Sequence, residues 1–219
     1  MLLRFGLAAF TAAAIVCSSG LQEVRKDLAD SDPAVRAQAA KVLGEARDHV
    51  SVPKLIELLE DSEVDVRKAG ARALGRIGDS LSAEPLARMY GREKHEDAAE
   101  VAVRALVELG EPSVQSLLRL IRVGGPYVRA GAARALGKLR AKAAVTPLIA
   151  LLETDRNADV RIAAVYALRQ IGDERGMEAV SRAVQDEDQD VEAAAEKALG
   201  GRGYNDQLDR ARRVLRHFR

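Results

Sequence analysis

The sequence predicts an all-α fold, a right-handed α-solenoid of about six two-helix repeats, and three observations carry that reading. First, a leucine returns at Leu43, Leu74, Leu106, Leu136, Leu168 and Leu199, every 30 to 32 residues. A fixed period of that length marks a repeat architecture. Second, the residues one, four and eight positions before each leucine are apolar and small or β-branched, as in Val35, Ala39 and Val42 before Leu43 or Val160, Ala164 and Ala167 before Leu168. That spacing lies on one face of a helix. Third, the chain is rich in alanine, leucine and arginine, has 3% aromatics and lacks tryptophan, and such residues are the best helix formers.

Composition excludes several classes. Of the 219 residues, 47% are apolar and 31% charged, so the chain is neither disordered nor wholly membrane-embedded. It carries 34 Lys and Arg against 33 Asp and Glu, a net charge of +1. That balance argues against a general nucleic-acid binder, which needs a basic footprint.

The elements follow in chain order. Arg4 precedes an apolar run over 5–16, and small residues follow, which is the layout of a secretory signal peptide over 1–19. The run is too short to span a bilayer of roughly 30 Å as a helix. Cys17 is the single cysteine, so no intramolecular disulfide exists. Leu21, Val24 and Leu28 make a short amphipathic helix that caps the repeats. The repeat region is placed at 20–219.

Within each repeat the first helix starts from a cap, such as Asp32 followed by Pro33, with Asn157 and Asp188 in the same column. The small residue in mid-stripe (Ala39, Gly70, Ala102, Ala132, Ala164 or Ala195) allows close approach of a neighbouring helix. Gly44, Gly75, Gly137 and Gly200 directly after the leucine are read as helix ends or bends. A second helix is expected over 52–60, 83–90, 114–121, 145–152, 177–185 and 206–218, with Pro53, Pro85 and Pro147 in its first turn. Neither helix can bury its stripe alone, so the units must stack. At 91–97 the linker is longer and Ala98-Ala99 replaces Val-Arg, so an irregularity is expected near 91–127.

The segment DPAVRAQAAKVLG (32–44), with VRAGAARALG (128–137) and ADVRIAAVYAL (158–168), resembles the short HEAT-like repeat of the phycobilisome-lyase type. The resemblance covers roughly 22–219. It implies a solenoid and leaves function open among scaffolds, phycobilin lyase subunits, deoxyhypusine hydroxylase and DNA glycosylase-like proteins. The N-terminus resembles a bacterial lipoprotein processing site, which implies cleavage before Cys17 and its acylation. Val16 departs from that pattern, where a small residue is usual.

Catalytic chemistry finds no support. The hydroxylase branch binds iron through His-Glu pairs directly after Val-Arg, and none stands there. The one such pair, His95-Glu96, falls in the cap column, and three histidines cannot furnish the site. There is no H-E-x-x-H, C-x-x-C, G-x-S-x-G or Walker loop. No catalytic, cofactor-binding or metal-ligating residue is assigned and no cofactor is expected.

Charge is patterned. The arginine after the valine recurs as Arg36, Arg67, Arg129 and Arg161. It reads either as a ladder bonding acidic or carbonyl groups of adjacent units or as a basic stripe for an acidic ligand. Between 112 and 152 stand seven basic residues and no acidic one; 173–197 holds nine acidic and three basic residues; 201–219 holds six Arg and two Asp. Such bands are either solvated faces or a surface that orients a partner. On the second helices Lys54, Glu57, Arg88, Arg119, Arg122, Arg182, Arg210 and Arg213 form the candidate partner surface. The expected function is a non-catalytic protein-interaction scaffold of the bacterial cell envelope. It is expected to be exported, either periplasmic or held at the membrane only through a lipid on Cys17. The alternatives are an accessory subunit of a lyase-like enzyme and a cytoplasmic adaptor.

Overall fold

The computed structural model describes residues 18–200, which form twelve α-helices and no strand. The cap helix is α1 (Ser18–Asp27). The first helices of the repeats are α2 (Pro33–Glu45), α4 (Val64–Ile77), α6 (Glu96–Leu109), α8 (Pro126–Lys138), α10 (Ala158–Ile171) and α12 (Gln189–Leu199). The second helices are α3 (Val52–Glu57), α5 (Ala83–Arg92), α7 (Val114–Val123), α9 (Val145–Thr154) and α11 (Glu174–Arg182). The expected cleavage site, Cys17, the sixth second helix, Arg210 and Arg213 lie outside the described residues. No described helix is long and apolar enough to cross a membrane.

The α-solenoid is realised in two compact units, one ending at Leu109 and the other starting at Gly110. The division falls inside 91–127, where the repeat departs from its pattern. In the first unit α1 packs on α2, α2 on α4 and α4 on α6, with α3 against α4 and α5 against α6. In the second, α8 packs on α10 and α10 on α12, while α7, α9 and α11 pack on α8, α10 and α12 respectively. Each repeating leucine is fully buried, as are all six mid-stripe residues. Burying one such leucine contributes roughly 1.5–3 kcal/mol, which gives each helix pair its core.

Side-chain caps start α2, α10 and α12. Asp32 accepts from the Ala34 N–H, Asn157 from Val160, and Asp188 from Asp190 and Val191. Each cap satisfies donors that the first turn leaves unpaired. Second helices follow a 3-10 turn at His49–Ser51, Ser80–Ser82, Glu111–Ser113 and Lys142–Ala144.

The glycines after the leucine correct an expectation. Gly44, Gly75 and Gly137 do lie in the last turn of their helices, but none of them is the residue that ends the helix. A Cβ on Gly44 would stand 2.7 Å from Ala73 Cα, and one on Gly137 2.6 Å from Ala167 Cα. These glycines let the first helices of neighbouring repeats touch backbone to backbone. Gly200 does end its helix, α12.

The chain turns instead four residues after the leucine. That column holds Arg47, Gly78, Gly110, Arg140 and Gly172, all with φ between 50° and 78°. For L-residues this region costs about 1–2 kcal/mol. Both arginines are exposed, and neither side chain makes a hydrogen bond or ion pair among the described residues that would offset the strain. Replacing Arg47 or Arg140 by Gly is therefore expected to stabilise its unit by up to about 1 kcal/mol, read as a rise in the urea midpoint at unchanged slope.

Candidate interaction surface

The recurrent arginines form a ladder. Arg36 lays its fork on Asp61, with Nε to Oδ2 at 2.8 Å and Nη2 to Oδ1 at 2.9 Å, and donates Nη1 to the Asp30 carbonyl at 2.8 Å. Arg67 does the same with Glu93 and the Asp61 carbonyl, Arg129 with Asp155 and the Gly124 carbonyl, and Arg161 with Asp186 and the Asp155 carbonyl. Asp61 and Asp155 thus serve two rungs, the carboxylate taking one arginine and the carbonyl the next. The same carboxylates accept backbone N–H groups two residues on, as Asp61 does from Glu63 and Asp186 from Asp188. At the N-terminal edge Arg25 of α1 repeats the fork on the buried Asp48.

These contacts decide between the two readings of the arginine column. The arginines are consumed in pairing and present no basic stripe. The acidic column (Asp61, Glu93, Asp155 and Asp186) was not read from the sequence, although it returns with the repeat period. Ala99 occupies the arginine column and Gly124 the acidic one, so both members of the third rung are missing from the sequence.

The carboxyls record the ladder. Hydrogen bonds from Arg25 and Arg67 hold Asp48 and Glu93 below the ordinary carboxyl range against the effect of burial. Burial pushes Asp61, Asp155 and Asp186 up, but the arginine and backbone hydrogen bonds with the Coulomb attraction together outweigh it, and each ends lowered. A carboxyl lowered by folding adds stability above its unfolded pKa of about 4, and that stability is lost as pH falls through the folded value. Acid titration of folding is therefore expected to show little change down to about pH 5 and progressive destabilisation below about pH 4. Circular dichroism in urea across that range checks it.

The second helices carry the candidate partner residues. In the first unit Lys54 and Glu57 pair with each other at 2.8 Å, and Arg88 of α5 is exposed and without a partner among the described residues. In the second unit Arg119 and Arg122 stand three residues apart on α7, both exposed; Arg122 makes no ion pair among the described residues, whereas Arg119 is already engaged. Arg182 of α11 pairs with Glu153 of α9 at 2.5 Å. The set is thus not one uniform surface: within each unit some of its charges neutralise locally and some remain.

A groove of about 420 Å³ lies between the 3-10 turn after α3 and the end of α5 in the first unit, lined by Leu59, Glu60, Met89, Arg92 and Lys94 over the Arg67–Glu93 rung. The second unit has its counterpart, about 620 Å³, between α7 and α9. Arg156, which the sequence reading missed, lines this second groove. Nothing in it resembles a catalytic constellation. His95 is exposed before α6, where its carbonyl accepts from Ala98 and Ala99. No group of three or more His, Cys, Asp or Glu among the described residues is placed to hold a metal.

The family of HEAT repeats matches residues 21–107, 92–169 and 145–217, nearly the whole repeat region. The chain belongs to the HEAT-repeat family. No curated protein matches the sequence of this HEAT-repeat chain. Among solved structures it is similar to the complex of CpcE and CpcF of phycocyanin lyase from Nostoc sp. PCC7120, with a TM-score of 0.52 and 24% identity over 82% of this chain and 76% of that one. A mutant of Kap121p gives a TM-score of 0.53 at 14% identity over 85% of this chain and 23% of that one. Human deoxyhypusine hydroxylase in complex with glycerol gives 0.42 at 21% identity over 84% of each chain. At these identities the first two likenesses speak to the fold, and the third carries no argument.

Proposed function

We propose that this HEAT-repeat protein is a non-catalytic scaffold of the bacterial cell envelope that binds a protein partner through the faces of its second helices. One observation supports the binding half. The first-helix arginines are spent inside the ladder, whereas the second helices keep Arg88 and Arg122 exposed and without an ion pair among the described residues. Charges that stabilise nothing within the fold are available to steer and orient a partner. The export half rests on the sequence of residues 1–20, with Cys17 as the residue that would be acylated.

Intact-mass measurement of the mature protein from its native host, with membrane fractionation and crosslinking in the cell, tests both halves. The expected result is a membrane-bound chain starting at an acylated Cys17, crosslinked to an envelope protein. A chain still starting at Met1 in the cytosol would overturn the export half. The likeness to a two-chain phycocyanin lyase favours a second reading, in which this chain is one subunit of a paired enzyme. Turnover that requires a crosslinked partner chain would select that reading.

A further inference from the structure

We propose that the groove between α7 and α9 takes an acidic, leucine-bearing segment of a partner protein; this deepens the scaffold reading and rests on it. The floor is apolar, made by Ile121, Pro147, Ala150 and Leu151. Arg122 and Arg156 stand over it, both exposed and without an ion pair among the described residues. The only carboxylate in the groove, Asp155, is held bidentately by Arg129 at 2.7 and 2.8 Å. It therefore neutralises neither of the two free cations.

The equivalent groove of the first unit shows what has changed. There Glu60 and Arg92, one repeat apart in the column before the ladder acid, pair at 3.0 Å. In the second unit that column holds Val123 and Thr154, so the internal salt bridge cannot form. Between 112 and 152 the sequence contains no acidic residue at all. The first groove thus neutralises Arg92 and keeps only Lys94 without an ion pair, whereas the second keeps two unpaired arginines above its apolar floor among the described residues.

A guanidinium fork matches a carboxylate in two parallel hydrogen bonds. Such pairs at the rim of an apolar groove set the register of a bound segment, while its apolar side chains supply the contact below. Carboxylates alternating with leucines meet both demands. Nucleic acid does not: stacking aromatics are absent from the lining, and the acidic band at 173–197 lies in the same unit.

Fluorescence anisotropy with a labelled peptide of alternating Glu and Leu tests the groove, with the Lys and Leu peptide of equal length as the control. The purified full-length protein is expected to bind the acidic peptide and not the basic one, with affinity falling as salt rises. The double variant Arg122→Glu, Arg156→Glu is expected to weaken binding at least about tenfold, and Arg122→Gln, Arg156→Gln by less. Arg72→Glu on α4, which does not line the groove, is expected to leave it unchanged. Both groove arginines are exposed and unpaired among the described residues, so melting curves of the variants should match the parent.

Equal binding of the two peptides, or an unaltered affinity in the double variant, would overturn the proposal. So would self-association in sedimentation velocity that the double variant abolishes, because the occupant would then be the acidic band of a second copy. A crosslinked envelope partner retained by the double variant would remove the groove and leave the scaffold reading standing. Peptide binding lost in the variant, with no crosslinked partner in cells, would support the groove chemistry while removing the scaffold reading.

Discussion

Replacing Gly137 by Ala is expected to destabilise the second unit by about 2 kcal/mol, although the same change in an open helix would stabilise it by up to about 1 kcal/mol. The sign reverses because of what the new methyl meets. Its Cβ would lie 2.6 Å from Ala167 Cα, 3.0 Å from Ala167 Cβ and 2.9 Å from Gln170 Oε1. The first of these is backbone, so the clash is relieved only by moving α8 and α10 apart. That separation would open gaps around Leu136 and Leu168, which are fully buried. Gly125→Ala is the matched control, since a Cβ there meets nothing within 4 Å and its φ is −63°. It should change stability by no more than about 0.5 kcal/mol. Urea unfolding of the two variants separates close approach from helix propensity, and equal midpoints would sink the packing argument.

Arg161→Ala is expected to cost about 3 kcal/mol, the range for breaking a buried ion pair from one side. Only 9% of the Arg161 side chain and 12% of Asp186 are exposed. Truncation would strand the Asp186 carboxylate and the Asp155 carbonyl, both of which the guanidinium satisfies. Removing both charges together, as Arg161→Met with Asp186→Leu, should recover much of the loss, because no buried charge is left unpaired. Arg104→Ala, whose pair with Glu100 is about two-thirds exposed on both sides, should cost no more than about 0.5 kcal/mol. A similar loss for Arg161 and Arg104 variants in thermal melts would show that the ladder is not a stabilising element.

The second helices show how far local signals reach. The starts expected at residues 52, 83, 114 and 145 coincide with α3, α5, α7 and α9. Three of those four helices hold a proline in their first turn. The start expected at residue 177 is found three residues earlier, at Glu174, where Asp173 caps the Arg175 N–H. No proline marks that position, and a capping aspartate among many acidic residues does not stand out. The longest miss was chemical rather than structural. Glycine after a helical leucine was read by its conformational freedom, whereas at Gly44, Gly75 and Gly137 its lack of a side chain is what matters. The positive φ falls three residues later, where two of five residues are arginine and the pattern is hidden.

What the sequence by itself determined is everything that repeats within one helix: the period, the buried face, the caps and the arginine column. Those signals are local, and their return with the repeat period makes them visible above the variation at other positions. The tertiary structure alone decided the pairing of charges. Each ladder arginine meets an acid 25 or 26 residues away, across a helix and two turns. Only the packing of that intervening second helix brings the two together, and only the pairing of the other charges in space leaves Arg122 and Arg156 unmatched among the described residues. An electrostatic partner is chosen by distance and burial in space, which composition and spacing along the chain do not contain.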